Sequence, residues 1–177
     1  MFKQIFFTLL LFGCMPQEQL DVKYRKAFEY IETTDTIKYV LCDSLQKSKT
    51  FQISIYDSIV PMEISSFFEH IAKENHVKDS ENMVILLDSL ITMDKKRWFQ
   101  PIFVDGLSKL SDDRKSEFIL FFSKPFNNTL LAELFPTYGS QRNYEDIRRF
   151  NKSVLYLFYF GPDNRIEKVL VTCPLYD

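Results

Sequence analysis

Two stretches of the chain are aliphatic or aromatic without interruption: Phe118-Ile119-Leu120-Phe121-Phe122 and Val154-Leu155-Tyr156-Leu157-Phe158-Tyr159-Phe160. Successive side chains of a β-strand point to opposite faces, so a strand with water on one side alternates apolar with polar residues. Neither stretch alternates. Each is therefore expected inside a sheet and covered on both faces, one by the helices of the fold and the other by an additional layer, a ligand or a partner. Each also leads through a turn into a second strand. Lys124-Pro125-Phe126-Asn127-Asn128 precedes 129–135, and Gly161-Pro162-Asp163-Asn164 precedes 165–173. Pro, Gly and paired Asn are turn formers, Asn tolerating positive φ. Two hairpins in one antiparallel sheet follow.

The covering layers are sought in the preceding residues. Leu20, Tyr24, Ala27, Phe28 and Ile31 recur at helical spacing among charged residues, an amphipathic first helix. Ile37, Tyr39 and Leu41, then Phe51, Ile53 and Ile55, alternate as two strands joined through 44–49, although Ile37, Val40, Leu41 and Leu45 fit a helix equally. Pro61 suits a first helical position, and Ile64, Phe67, Phe68 and Ile71 predict a helix over 61–75. After a loop at 79–82, Met83, Leu86, Leu87, Leu90 and Ile91 favour a helix over 83–93, against a buried strand carried by Val84-Ile85-Leu86-Leu87. Residues 100–110 read as irregular, and Tyr144, Ile147 and Phe150 as one face of a short helix over 144–151. The expected fold is a single α+β domain over 20–177, with amphipathic helices packed on an antiparallel sheet and a C-terminal pair of β-hairpins.

Several classes of chemistry find no support. The 177 residues carry 22 Lys plus Arg against 24 Asp plus Glu, which gives no basic face for nucleic acid. Beyond the first fourteen residues only Gly106, Gly139 and Gly161 occur, far apart, so no phosphate-cradling loop can be drawn and no cofactor is expected. No serine sits in a Gly-x-Ser-x-Gly elbow. His70 and His76 lie six residues apart, roughly 240° around an ideal helix, and do not form a one-face metal pair. Glu69 and Glu74 with these histidines make a weak ligand set at most, and no metal site is assigned.

What remains are candidates with a structural alternative beside each. Tyr156, Phe158, Tyr159, Phe160, Phe121 and Phe122 form an aromatic sheet face for a ligand or protein partner, or are simply covered by the remaining helices. Lys95, Lys96, Arg97 and Trp98 combine cations with the only tryptophan, suited to a membrane surface or to a solvated helix end beside a core tryptophan. Glu133, in an apolar strand, and Glu167, in the final strand, are the carboxylates for acid–base work on a glycan, or surface residues paired with Arg149, Arg165 or Lys168.

The first residues decide where such a domain works. Lys3 precedes a short apolar run, 5–12, that closes on Leu11-Phe12-Gly13-Cys14. This is a secretory signal, too short to span a bilayer. Its end resembles the lipobox of bacterial lipoproteins, with an aliphatic residue three before the cysteine and a small one just before it. The resemblance implies a signal peptide at 1–13, cleavage between Gly13 and Cys14, acylation of Cys14, and a short tether at 14–19. It also implies residence in a bacterial cell envelope, with the domain held to a membrane by the lipid. Met15 in place of aspartate favours the outer membrane, facing the periplasm. Cleavage leaves 164 of the 177 residues. With Cys14 lipid-linked, Cys42 and Cys173 remain as a candidate disulfide, on the order of 4 kcal/mol in the chain-entropy model, or as small buried residues. Asp35-Thr36-Ile37, Asp43-Ser44-Leu45, Asp57-Ser58-Ile59 and Asp88-Ser89-Leu90 resemble an Asp-Ser/Thr-aliphatic O-glycosylation sequon, and are equally ordinary turn and cap sequences. The expected function is a non-enzymatic, membrane-anchored envelope lipoprotein that binds a protein partner or apolar ligand through its aromatic sheet face. The alternative is an envelope hydrolase acting on glycan or peptidoglycan through paired carboxylates.

Overall fold

The computed structural model describes residues 17–34, 52–111, 116–137, 143–149 and 152–174, with backbone alone for 17–21. The expected strand at 37–41, the 44–49 connection, Cys14 and Cys42 lie outside these residues. Among the described residues the order is α1 (Gln17–Thr33), β1 (Ile53–Ile59), a 3₁₀ turn (Ile64–Phe67), α2 (Phe68–Glu74) and α3 (Ser80–Arg97). There follow β2 (Ile102–Phe103), a second 3₁₀ turn (Leu107–Leu110), β3 (Phe118–Phe122), β4 (Thr129–Pro136), α4 (Tyr144–Arg148), β5 (Val154–Phe160) and β6 (Ile166–Thr172).

The strands form one sheet in the order β2-β1-β3-β4-β5-β6. Both hairpins stand as the turn residues dictate. Asn127 and Asn164 adopt positive φ, 46° and 57°, where an asparagine is tolerated. All neighbouring strands are antiparallel except β1 and β3, which run parallel from Ile53 opposite Phe118 to Ile59 opposite Phe122. That parallel pair was not legible in the alternation pattern, which is the same for either direction. The fold is α+β, with a mostly antiparallel sheet.

Period-two alternation sorts β3 and β5 onto two cores. Phe118, Leu120 and Phe122 with Tyr156, Phe158 and Phe160 face α1, whose Tyr24, Ala27, Phe28 and Ile31 close the layer. Ile119, Phe121, Leu155 and Leu157 face the other way, against Met62, Ile64, Phe67, Leu90, Tyr144 and Ile147. Each large side chain so buried contributes roughly 1.5–3 kcal/mol, which is why both strands lie inside the sheet.

The helices differ from expectation at their ends. α1 is described from Gln17, within the expected tether, where Gln and Glu are good helix formers. The helix expected over 61–75 is instead an extended segment, the 3₁₀ turn and α2. Val60 N–H donates to the Phe122 carbonyl and prolongs the sheet, and Asp94 takes the amides of Ile64 and Ser65. α3 is longer than expected. Asp79 caps it by accepting from Asn82 N–H at 2.8 Å, so the expected loop at 79–82 is the cap and first turn. α4 stops at Arg148, short of the expected end.

Candidate functional site

Among the described helices α3 is the least covered. Its buried residues are Leu90 and Arg97 alone, and the outward side shows Val84 (59 % exposed), Ile85 (58 %), Leu87 and Ile91. Val84, Leu87 and Ile91 fall at i, i+3 and i+7 and make one row. Where α3 ends, a cleft of about 720 Å³ opens between it, the first 3₁₀ turn and α4, with Met62, Ile91 and Trp98 as its apolar wall. Two polar devices hold its shape. The Asp94 carboxylate accepts from Ile64 N–H at 2.7 Å and Ser65 N–H at 3.0 Å, pinning the 3₁₀ turn to α3. Arg148 of α4 lies 3.5 Å from Glu63.

The basic cluster divides. Lys95 and Lys96 are exposed, and Trp98 is 63 % exposed rather than a core tryptophan. Arg97 does not share their surface: it is 9 % exposed, over the Phe126 ring at 5.4 Å, with Nη1 3.5 Å from Thr129 Oγ1. The reason is helical geometry, since a residue next to an exposed one is turned about 100° from it. Nη2 has no hydrogen-bond partner among the described residues. Burial pulls the Arg97 pKa below its ordinary value, with Asp94 and Tyr159 acting the other way.

The carboxylates are not brought together. Glu133 is fully buried in the middle of β4, accepting from Tyr144 Oη at 2.6 Å and from Ser153 Oγ at 2.5 Å. Glu167 is exposed on β6. Glu133 stands opposite Leu155 of β5, while Glu167 lies beside the Tyr159 and Phe160 end of the same strand. Two strand spacings across and four or five residues along place them roughly 18 Å apart. That exceeds the roughly 5 to 9.5 Å that glycoside hydrolysis uses. Glu133 instead ties α4 and the start of β5 to the sheet. A lone acid in an apolar strand was the sequence signal for this role, but its partners sit 11 and 20 residues away.

The aromatic residues of the expected sheet face lie inside the protein. Tyr156, Phe158, Phe121 and Phe122 have no exposed surface, Phe160 has almost none, and Tyr159 is half-buried under Lys168. The additional layer that two-faced apolar strands require is supplied by α1 on one side and by the 3₁₀ turn, α3 and α4 on the other. Tyr156 keeps one anomaly. Its hydroxyl is buried without a hydrogen-bond partner among the described residues, and burial, with smaller effects of Cys173 and Tyr30, pushes the phenol far above its ordinary value.

His70 and His76 are exposed, and Glu74 pairs with Lys168. Among the described residues no group of His, Cys, Asp or Glu is arranged to hold a metal ion. Cys173 is exposed just beyond β6, though partial burial still pushes its thiol up. No described helix is long and apolar enough to cross a membrane. Of the two sequon-like tripeptides described, Asp57-Ser58-Ile59 is half-buried in β1, whereas Ser89 is exposed on α3. The row on α3 was missed in the sequence because its apolar residues outnumber those needed for an inner face, and the pattern does not say which are surplus. No protein-family model matches the chain, and no curated protein or solved structure is significantly similar to it.

Proposed function

We propose that this chain is a membrane-anchored lipoprotein of the bacterial cell envelope, tethered through a lipid on Cys14, that acts by binding a protein partner rather than by catalysis. The observation that carries the binding role is the uncovered row of Val84, Leu87 and Ile91 on α3, with Ile85 exposed about 100° to one side of it. Large apolar side chains left in water along one helix face mark an interaction surface. The row is a ridge, not a cavity, so it suits the groove of a protein and not the enclosure of a small apolar ligand. The hydrolase alternative loses its support in the separation of Glu133 from Glu167 and the burial of the former.

The test is site-specific photo-crosslinking in intact envelopes. A photoreactive residue at Val84 is expected to give a discrete protein adduct that the same residue at exposed Glu117 does not. No adduct at Val84, or the same adducts from both positions, overturns the reading.

A further inference from the structure

One end of the sheet gathers features that the two cores do not use. It is the end at which β1, β3 and β5 finish and β4 begins, with Ile59, Phe122, Phe160 and Thr129 near it. α1 reaches this end with its N-terminus leading. Tyr24 Oη donates to the Ser123 carbonyl at 3.2 Å, Lys23 Nζ lies 5.5 Å over the Phe160 ring, and Lys26 Nζ donates to the Asn164 carbonyl at 2.9 Å. Further along α1, Tyr30 meets Phe158, deeper in the sheet, with ring centres 5.6 Å apart. The start of α1 at Gln17 therefore lies about 9 Å further along the helix axis from Lys23. Cys14 is three residues ahead of Gln17, within ~10 Å of it.

The connection from α3 to β2 lies at the same end. Phe99 packs on the α1 core, and Ile102 and Phe103 pair with Ile59 and Ser58 at the finish of β1. Here the chain exposes Trp98, Phe103 (64 %) and Ile102, with Val22 on the first turns of α1. Around them stand the exposed Lys95, Lys96 and Lys124. The nearby carboxylates are Asp94, held by two backbone amides, Asp105, beside Lys109, and Glu63 and Glu145, which line the cleft with Trp98 and Lys95, Glu63 being paired with Arg148.

Tryptophan, phenylalanine and isoleucine ringed by lysines is the composition of a bilayer interface, where rings sit at headgroup depth and ammonium groups meet lipid phosphates. The point at which the undescribed N-terminal residues join the fold selects the occupant, since a lipid on Cys14 holds this end, and no other, against the bilayer. The geometry points to end-on docking: the domain rests on anionic lipid headgroups through Trp98, Phe103, Ile102, Lys95 and Lys96, with the sheet standing away from the membrane. This rests on the reading that Cys14 is lipid-linked. A single acyl chain binds a bilayer only marginally, so a second contact of this kind would lengthen the attachment.

Trp98 is the only tryptophan, so its fluorescence reports this contact without labels. The acylated full chain is placed in vesicles of phosphatidylethanolamine with phosphatidylglycerol, and separately of phosphatidylcholine, each with lipids brominated near the headgroup. On anionic vesicles Trp98 emission is expected to shift to the blue and to be quenched at least about twofold. The double variant Lys95→Gln/Lys96→Gln, altered only at exposed residues, is expected to lower the docked-to-undocked ratio about 25-fold, at about fivefold for each lysine. Thermal melting checks that this variant folds. Emission at the water-exposed position without quenching, with Cys14 acylated by mass, overturns the docking and leaves the tether standing. A blue shift without quenching, the mark of protein covering Trp98, overturns it too. Equal quenching on both vesicles, unchanged in the double variant, overturns the anionic headgroup as the occupant. An unmodified Cys14 in the envelope protein overturns the tether and the orientation with it.

Discussion

Two fully buried tyrosines in the α1 core make opposite predictions for the same chemical change. The Tyr24 hydroxyl donates to the Ser123 carbonyl, and the Tyr156 hydroxyl has no partner among the described residues. Tyr24→Phe removes a hydrogen bond and leaves a buried carbonyl short of a donor, so it is expected to destabilise by about 1 kcal/mol. Tyr156→Phe removes a hydroxyl that costs roughly 1–3 kcal/mol to bury unpaired. The oxygen-sized gap it leaves costs only about 0.2 kcal/mol at ~24 cal/mol per Å³. The transfer effect therefore wins, and Tyr156→Phe is expected to stabilise by about 1–2.5 kcal/mol. In a chain of this length that is a rise in melting temperature of about 2–4 °C per kcal/mol. The pH dependence separates the two further. In the folded state Tyr156 holds its proton above the ordinary value of 10.0, so above that pH the unfolded chain binds fewer protons than the native one. Stability is thus intact below about pH 10 and falls above it, by up to about 1.4 kcal/mol per pH unit until the folded value is reached. Tyr156→Phe should lose this part of the alkaline decline and keep the smaller part due to Tyr159, whose phenol burial also raises. Urea unfolding of wild type and both variants between pH 7 and 11 tests it. A Tyr156→Phe protein less stable than wild type by 1 kcal/mol or more, with the full alkaline decline, would refute the reasoning.

Two further outcomes follow from the buried polar groups. Tyr144→Phe and Ser153→Ala each remove one donor from buried Glu133 and are expected to cost about 1–3 kcal/mol in urea unfolding, with non-additive loss in the double variant because the two share one carboxylate. Arg97→Met keeps the stem beside Phe126 and deletes a cation that burial disfavours, so it is expected to be neutral or stabilising by up to about 2 kcal/mol, whereas Arg97→Ala loses the packing and costs about 1–3 kcal/mol. If Arg97→Met is as damaging as Arg97→Ala in thermal melts, the charge has a partner that outweighs its desolvation.

The C-terminal sheet was legible because two signals agree there: strands apolar on both faces, and turns whose Asn127 and Asn164 require positive φ. α1 was legible from a single clean apolar stripe. The direction of β1 was not, since alternation is blind to whether a neighbour runs with it or against it. The helix expected at Pro61 failed because the amides of Ile64 and Ser65 found Asp94, 29 and 30 residues away, and no local pattern encodes that partner. The candidate site was legible in composition and not in placement. Lys95, Lys96 and Trp98 face water as an interface needs, while Arg97 between them turns inward. The aromatic residues of β5 were read correctly as needing cover, and the cover is the protein's own.

The parallel pairing of β1 with β3 fixes an order of events. Ile53 must wait for Phe118, and closing so long a loop before any contact is gained is slow. The β3–β4 and β5–β6 hairpins close over short turns and can form early, and they carry much of both cores. A chain emerging N-terminus first therefore presents α1, β1 and α3 without the central strands that bury them until its last third has followed. Were the chain exported, as proposed, the late arrival of these strands would keep the leading two-thirds threadable through a translocation that requires an unfolded chain.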